Sequence, residues 1–345
     1  MPHTIDLSAD GKTGVVRCPE GEIQILPVSE RRRRIELRPY RADVYIPRRS
    51  VETGYPDELI LECLELFGFC WLCDGISRDE DPSQVEKALS LGLFGFVPRE
   101  KFQGRRLLDF GCGSGASTTL LARMIPDAEV VGVELSANLL KVACARRAHH
   151  GVRNVRFEAS PSGRELPENL GSFDFIVLSA VYEHLLPNER KDIMPLLWSR
   201  LRPQGVLFIN QTPHRYFPVD THSSGLPLVN YLPDRMAHWA VARFSRRGGI
   251  NRSPVWEEHL RGGLRGGTEA EILRELSRGS DSRPVLLNPC ISGLRDRVDL
   301  WFWGLSPRYW RTKRALRLIL KGLYFLTGSV VTPNLTLAIQ KTTVR

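Results

Sequence analysis

Short apolar runs and longer helical runs alternate along the middle of the chain. The apolar runs have the length of β-strands and read "RRLLDF", "EVVGVEL", "VRFEAS", "FDFIVLS" and "GVLFIN". Between them, apolar residues recur with the period of a helix in "TTLLARMI", "NLLKVACARRA" and "IMPLLWSRL". Strands that alternate with helices are typical of βαβ units, in which helices cover both faces of a parallel sheet. The pattern predicts an α/β fold with a doubly wound sheet over residues 104–212.

The segments on either side of this core differ from it in pattern. Residues 1–50 predict a small strand-rich extension, and residues 51–103 follow a helical period that leads into the core. After the last of these strands, a stretch rich in Pro, Gly, Arg and Trp occupies residues 213–328. It is too long for a simple connection, so we expect an insertion that covers the substrate. A final strand, "LTLAIQK", is predicted within 329–345 and completes the core.

The composition is that of a globular protein with a basic surplus. The 345 residues are 42% hydrophobic and 25% charged, which excludes a disordered chain or a fibrous repeat. The net charge of +9 favours an acidic partner and leaves open a polyanion, an anionic lipid surface or a phosphorylated substrate. Seven irregularly spaced cysteines and a start without a secretory pattern predict a cytoplasmic protein.

The stretch "LLDFGCGSGA" links a predicted strand to a predicted helix. Its glycines, Gly111, Gly113 and Gly115, expose backbone N–H groups to whatever binds there. The stretch also matches a dinucleotide fingerprint, but Asp109 would repel a pyrophosphate and suits a ligand that carries ammonium and sulfonium charges. Glu134 ends the next strand, where an acid can accept hydrogen bonds from ribose hydroxyls. The combination favours S-adenosylmethionine.

These motifs resemble those of the class I S-adenosylmethionine-dependent methyltransferases. The shared stretches are "LLDFGCGSG", "VVGVELS", "FDFIVLSAVYEHL" and "LRPQGVLFI", and the resemblance covers residues 105 to about 218 and the last strand. It implies a Rossmann-like sheet of seven strands with S-adenosylmethionine as the cofactor. The cofactor-binding residues that it implies are Asp109, Gly111, Cys112, Gly113, Gly115, Glu134, Leu135, Ser160 and Ser179.

The resemblance also implies a role for the main positions of this set. The loop residues line the methionine part of the cofactor, Glu134 binds the ribose and Leu135 flanks the adenine. Two positions depart from the family pattern. The usual double glycine before the fifth strand is Gln204 and Gly205 here, and relatives often carry an acid after the third strand to bind the adenine amino group. This chain has Ser160 there.

The ends of the fourth and fifth strands supply candidate catalytic residues. "SAVYEHLLP" contains Tyr182, Glu183 and His184, and a histidine with an ordinary pKa near about 6.5 suits a general base. The alternative is that His184 only shapes the loop. Glu183 could also hold a divalent metal with residues of the stretch "NQTPHRYFPVDTH", namely His214, Asp220 and His222. Their spacing is not diagnostic and solvated loop residues are favoured, so no metal is expected.

The acceptor is the least defined part of the prediction. The stretch "SAVYEH" stands where amino-directed nucleic-acid methyltransferases carry an "NPPY"-like tetrad, which favours a small-molecule or glycan-type acceptor that is methylated at oxygen. One alternative is an RNA methyltransferase, suggested by the net charge and by Arg-Gly-Gly triplets that start at Arg247, Arg261 and Arg265. Another is a catalytically silent module that binds S-adenosylmethionine or a polyanion.

Residues 306–328 combine basic and apolar side chains in a pattern that suits a helix on an anionic membrane face. The favoured interpretation is an ordinary domain helix with a basic outer face. The sequence gives no prediction of the oligomeric state.

Overall fold

The computed structural model describes residues 5–7, 13–245, 253–290, 293–304 and 309–343. At the N-terminal end, five strands form an antiparallel sheet in which the order of strands follows the chain. They are β1 (Asp6–Leu7), β2 (Gly14–Cys18), β3 (Gly21–Ser29), β4 (Arg32–Pro39) and β5 (Ser50–Thr53).

Two helices follow this sheet and lead into the core. The first is α1 (Asp57–Glu80), which bends at Gly68, where φ is 69°. The second is α2 (Val85–Leu89), and it continues into a π-helical turn over Ser90–Phe94. Buried residues of α1 pack against β2 to β5 in one apolar cluster, so the extension and α1 share a core.

The central sheet has seven strands, and β12 is antiparallel to the strands on both of its sides. These strands are β6 (Arg106–Phe110), β7 (Glu129–Glu134), β8 (Val155–Ala159), β9 (Phe173–Ser179), β10 (Leu201–Pro213), β11 (Ser282–Leu286) and β12 (Asn334–Thr343). Their spatial order is β11-β12-β10-β9-β6-β7-β8. The direction of strand addition reverses between β6 and β9, and open α/β sheets bind ligands beyond the carboxyl ends of the strands at such a point.

Helices cover both faces of this sheet, so the predicted doubly wound α/β fold is confirmed. The remaining helices are α3 (Ala116–Met124), α4 (Ala137–His149), α5 (Pro187–Arg200), α6 (Asp234–Phe244), α7 (Trp256–Arg261), α8 (Glu269–Leu276), α9 (Arg297–Gly304) and α10 (Trp310–Thr327). Leu108 and Ile176 face one layer, which α5 and α8 cover. Their neighbours Leu107 and Phe175 face the other layer with α3. Alternate residues of each strand therefore build two separate cores.

The segment 213–328 contributes to the sheet itself as well as covering it. Strand β11 lies within this segment and pairs with β12 at the edge of the sheet. Ile272 and Leu276 of α8 are fully buried in the same core as α5. This stretch is therefore partly integral to the core domain. Within the described residues, no helix combines the length and apolarity needed to cross a bilayer.

Candidate active site

The glycine loop lies at the carboxyl end of β6, where the chain turns into α3. Gly111, Gly113 and Gly115 have φ angles of 70°, 55° and 78°, a region that side chains disfavour. A methyl group on Gly115 would lie 2.5 Å from Ala143 Cβ, and one on Gly111 would lie 2.7 Å from Val181 Cγ1. At Gly113, no atom lies within 4 Å of the position of an added Cβ. The open side of Gly113 is therefore where a ligand can approach the backbone.

Glu134 holds the loop from the end of β7. Its Oε2 accepts a hydrogen bond of 3.0 Å from the backbone N–H of Gly113, and its Oε1 accepts from Leu135 N at 2.8 Å and Ser136 N at 3.0 Å. A carboxylate offers about four lone-pair positions, so this arrangement leaves capacity for a further donor. Leu135 is 55% exposed beside it and provides an apolar surface.

Asp109 lies under the loop and is 1% exposed. Its Oδ2 accepts hydrogen bonds of 2.7 Å from both Ser117 Oγ and Thr118 Oγ1 at the start of α3. Burial, with a smaller contribution from the charge of Glu134, raises the pKa of Asp109 to about 6 against the effect of these bonds. A buried carboxylate beside a second carboxylate favours a bound cation and disfavours a pyrophosphate.

The other predicted cofactor residues lie around the same loop. Cys112 is buried, and burial raises the pKa of its thiol, so the thiol is uncharged at neutral pH. Ser160 donates from its backbone N–H to the Glu134 carbonyl at 2.9 Å, and its hydroxyl donates to Glu165 O at 2.6 Å. The Ser160 oxygen can still accept a hydrogen bond. Ser179 Oγ, at the end of β9, accepts a bond of 3.2 Å from Asn210 Nδ2.

Tyr182 is the first residue of a 3₁₀ turn, Tyr182–His184, that follows β9. Its side chain is fully buried, its ring lies 4.3 Å from the Arg190 guanidinium carbon, and Gly267 packs closely on it. Its hydroxyl has no hydrogen-bond partner among the described residues, and burial raises its pKa. These surroundings favour a packing role for Tyr182 over the predicted catalytic role.

Glu183, His184 and His222 form a cluster in which the possible ligand atoms all lie within 4.8 Å of one another. Glu183 is fully buried, and burial raises the pKa of its carboxyl. Its Oε2 accepts a bond of 2.9 Å from Thr212 Oγ1, whereas Oε1 has no hydrogen-bond partner in the described part of the chain. Gly263 makes room for the cluster, because a Cβ there would lie 2.5 Å from His222 Cδ2.

Two residues of the metal set considered from sequence are engaged in other contacts. His214 Nδ1 accepts a bond of 3.0 Å from Tyr216 N. The Asp220 carboxylate accepts several bonds from Ser223 and Ser224, which fold a turn around it. The remaining cluster has ligand types that a divalent metal accepts. The expectation that no metal is bound stays a prediction.

The Arg-Gly-Gly triplets that the structure describes are parts of folded loops. Arg261 Nη1 donates to Glu189 Oε2 at 2.7 Å. Arg265 is buried and donates to Asn230 O at 2.6 Å and to Asp234 Oδ1 at 2.8 Å. Arg247 lies outside the described residues. Both described guanidinium groups therefore have internal acceptors, and that of Arg265 is buried.

A cleft opens beside the C-terminal part of β10 and was not predicted from the sequence. Asn210, Gln211, Arg297 and Asn334 supply its polar lining, together with Gly92. Tyr182, Glu183 and His184 are not among the described residues that line it. The bond from Asn210 to Ser179 connects the wall of the cleft to the end of β9, next to the glycine loop.

Comparison with known proteins identifies the domain that carries the loop. Residues 107–205 match the sequence model of a family described as "Methyltransferase domain". Trans-aconitate 2-methyltransferase from Deinococcus radiodurans is 36% identical over 104 residues, which cover 30% of this chain and 36% of that protein. The mitochondrial ubiquinone biosynthesis O-methyltransferase from Rattus norvegicus is 32% identical over 114 residues, which cover 32% of each chain.

A solved structure with a similar core is an S-adenosylmethionine-dependent methyltransferase from Clostridium acetobutylicum. It covers 40% of this chain and 55% of its own, with 18% identity and a TM-score of 0.35.

The family match includes the glycine loop and Glu134. The central domain belongs to the class I S-adenosylmethionine-dependent methyltransferases. The chain spans about a third of the length of the two curated relatives, so the match defines the methyltransferase domain. The N-terminal sheet and most of the segment after β10 lie outside the matched residues. In this chain, the methyltransferase domain therefore carries additions on both sides.

The residues of the cleft were not predicted from the sequence. Asn210 and Gln211 lie in the last four residues of β10, while Gly92, Arg297 and Asn334 come from three other parts of the chain. The sequence contains one local signal for this cleft, because Asn210 and Gln211 interrupt the apolar run "GVLFINQT" near the end of a strand. Polar residues at such a strand end are typical of ligand sites in α/β sheets.

Proposed function

We propose that the protein transfers a methyl group from S-adenosylmethionine to a small-molecule or glycan-type acceptor, at oxygen. The observation that carries this proposal is the placement of the Glu134 carboxylate at Gly113, whose open side admits a ligand, with the buried carboxylate of Asp109 beneath the same loop. Ammonium and sulfonium groups suit this negative site, and a ribose hydroxyl can donate to the remaining acceptor capacity of Glu134. The exposed Leu135 side chain provides a surface for adenine.

The cleft beside Asn210 is our candidate for binding the part of the acceptor that does not react, because His184, our candidate base, does not line it. Its side-chain amides both donate and accept, and the Arg297 guanidinium donates to oxygen, so hydroxyl and carboxylate groups are suitable ligands. Arg297 is held by a bond of 2.6 Å to Glu269, which limits its motion. The names of the two relatives, a trans-aconitate methyltransferase and a ubiquinone biosynthesis O-methyltransferase, support a small acceptor and transfer to oxygen.

Methylation of a hydroxyl needs a group that accepts the hydroxyl proton, and His184 remains our candidate. Its Nδ1 lies 2.6 Å from the carbonyl oxygen of Arg261. A carbonyl only accepts, so the neutral imidazole carries its proton on Nδ1 and keeps a lone pair on Nε2. The bound cofactor supplies the methyl group. The protein contributes the acceptor site, the proton-accepting Nε2 and the carboxylates that hold the cofactor.

Calorimetric titration tests the cofactor assignment. The purified protein should bind S-adenosylmethionine and its demethylated product, and it should not bind NAD. Glu134→Gln should weaken binding by about 1 to 3 kcal/mol, because an amide offers only one oxygen to the donors that the carboxylate serves. Glu129→Gln is the matched control, because Glu129 begins the strand that Glu134 ends and so lies at the other end of β7 from the glycine loop. Binding of NAD alone, or equal losses in both variants, would overturn the assignment.

Transfer of a labelled methyl group tests the acceptor class. Pools of small acids, glycans and total RNA are incubated separately with the protein and labelled S-adenosylmethionine. Label in the small-molecule or glycan pools is expected. Stoichiometric label in one RNA species would favour the RNA methyltransferase instead. Cofactor binding without transfer to any pool would favour a silent binding module.

A further inference from the structure

Helix α10 is anchored to the protein through one face only. Leu320 is buried in a small apolar cluster with Val298 and Val330. On the same side, Arg317 Nε donates to Asp299 Oδ1 at 2.9 Å, and Lys321 Nζ donates to Asp299 Oδ2 at 2.8 Å. Lys321 Nζ also lies 3.0 Å from Asp296 Oδ2, so two aspartates neutralise the two inner cations. Packing and ion pairs together fix which face of α10 points away from the body.

The outer face of α10 is apolar over its C-terminal half. Leu318 and Ile319 are each 67% exposed, Phe325 is 90% exposed and Leu326 is 81% exposed. Residues separated by seven and eight positions lie on the same side of a helix, so these four side chains form one patch. We call it the outer apolar patch. Contiguous patches of large apolar side chains are uncommon on soluble surfaces and mark sites of interaction.

The N-terminal half of the same outer face is basic. Arg311 and Arg314 lie seven and four positions before Leu318, which places them in line with the outer apolar patch. Within the described part of the chain, neither arginine takes part in an ion pair. The sequence of α10 contains no acidic residue that could neutralise them. The outer face thus joins unpaired positive charge to exposed apolar surface.

We propose that α10 is an interfacial helix that binds the surface of an anionic membrane. The outer apolar patch enters the boundary between headgroups and acyl chains, while Arg311 and Arg314 contact the lipid phosphates. Helices that lie in the interface plane have this division into an apolar surface and basic residues. Anionic lipids provide the negative charge that the protein does not place beside these arginines.

A second copy of the chain is a poorer occupant of this face. A two-fold interface brings the same patch of both subunits together. Two copies of the outer face would bury four arginines, two from each chain, without any acidic group of α10 to pair with them. Buried unpaired charge is costly, so self-association through this face is disfavoured. Charge complementarity therefore favours a lipid surface.

Vesicle flotation with the full chain tests the proposal. Vesicles contain phosphatidylcholine alone or mixed with phosphatidylglycerol in roughly equal parts. We expect the protein to float with the mixed vesicles and to remain in solution with pure phosphatidylcholine. Phe325→Ser combined with Leu326→Ser should lower partitioning more than about a hundredfold, because two large apolar side chains no longer enter the bilayer. Both side chains are exposed, so the variant should keep the thermal transition of the parent.

Charge and position are tested by matched variants. Arg311→Glu with Arg314→Glu should weaken binding to the mixed vesicles at least about tenfold. The control combines Arg31→Glu with Arg153→Glu, which makes the same change of charge at exposed sites outside α10. This variant should bind the mixed vesicles nearly as well as the parent does. Met236→Ser with Trp239→Ser removes exposed apolar side chains from α6 and should also have little effect.

Three results would overturn the proposal. The first is the absence of flotation with mixed vesicles. The second is equal loss of binding in the α10 variants and their controls, which would indicate non-specific adsorption of a basic protein. The third is a parent protein that is dimeric by light scattering and becomes monomeric in the Phe325→Ser, Leu326→Ser variant without vesicle binding. That outcome would assign the outer face to a second copy of the chain.

Discussion

Arg146 Nη1 donates a hydrogen bond of 2.6 Å to Ser114 Oγ, so a fully buried guanidinium holds the glycine loop. The same side chain donates to Gly75 O at 2.6 Å and to the Tyr55 hydroxyl at 2.9 Å, both in or next to α1. The Asp79 carboxylate lies 3.5 Å from Arg146 Nε and provides the opposite charge. Arg146 therefore joins the N-terminal unit to the cofactor loop through contacts that exclude water.

Replacement of Arg146 by methionine should destabilise the protein by about 3 to 5 kcal/mol, because Asp79 would remain buried without its cation. Denaturant unfolding of the full chain measures this change. Arg153→Met, at an exposed position outside α4, is the matched control and should change stability by less than about 0.5 kcal/mol. Equal effects of the two substitutions would show that the buried network does not depend on Arg146.

Two glycines of the loop should respond differently to alanine. Gly115→Ala should lower stability by more than about 2 kcal/mol, because its methyl group would lie 2.5 Å from Ala143 Cβ at a positive φ. Gly113→Ala should cost about 1 kcal/mol for its backbone conformation alone, since the space around it is open. Thermal unfolding checks both values.

The same pair separates packing from ligand binding. In folded Gly113→Ala protein, S-adenosylmethionine should bind at least about tenfold more weakly, because the methyl group projects into the space that we assign to the cofactor. Calorimetry provides the measurement. Parental affinity in this variant would mean that the cofactor does not approach Gly113.

The loop could be predicted because local sequence determines it. A strand that turns directly into a helix needs glycine where φ is positive, and Gly111, Gly113 and Gly115 all occupy such positions. Glu134 could be placed for a similar reason, since the carboxyl ends of neighbouring parallel strands meet at one edge of a sheet.

Other features depend on contacts between distant segments and could not be predicted. Strand β11 reads "SRPVL", in which Pro284 disfavours a strand, and it is defined by pairing with β12 at the sheet edge. Arg146 lies in the polar run "ARRAHH", which suggests a solvated helix end, and only the packing of α1 against α4 buries it. The acceptor cleft combines residues from several elements that no local pattern links.

The stability of the protein should fall between about pH 4 and pH 6 through Asp109. Burial raises its pKa from 3.8 to about 6, so the folded state holds a proton that the unfolded chain has already lost. As pH rises through this window, the ionisation of Asp109 lowers the free energy of unfolding by roughly 2 to 3 kcal/mol in total. Above the window, Asp109 causes no further change. Asp109→Asn should not show this fall. The test compares denaturant midpoints of parent and variant across the window, with exposed Asp127→Asn as the control.

Cofactor affinity should change with pH in the opposite direction. A cationic ligand is held more strongly when Asp109 is ionised, so binding of S-adenosylmethionine should strengthen as pH rises through about 6. Calorimetry on the parent and on Asp109→Asn measures this dependence, and the variant should bind more weakly with a flatter profile. A variant that keeps the parental profile would place the titrating group elsewhere.

His184 should affect transfer and leave cofactor binding nearly unchanged. With an acceptor from the labelled-methyl screen, His184→Gln should lower kcat by about 10² to 10⁴-fold, because the amide cannot accept the hydroxyl proton. A chelator treatment separates this role from a metal-binding one, since Glu183, His184 and His222 also have ligand atoms within 4.8 Å of one another. Activity that survives the chelator but not His184→Gln supports the base, whereas activity that a chelator removes and a divalent metal restores would make His184 a ligand.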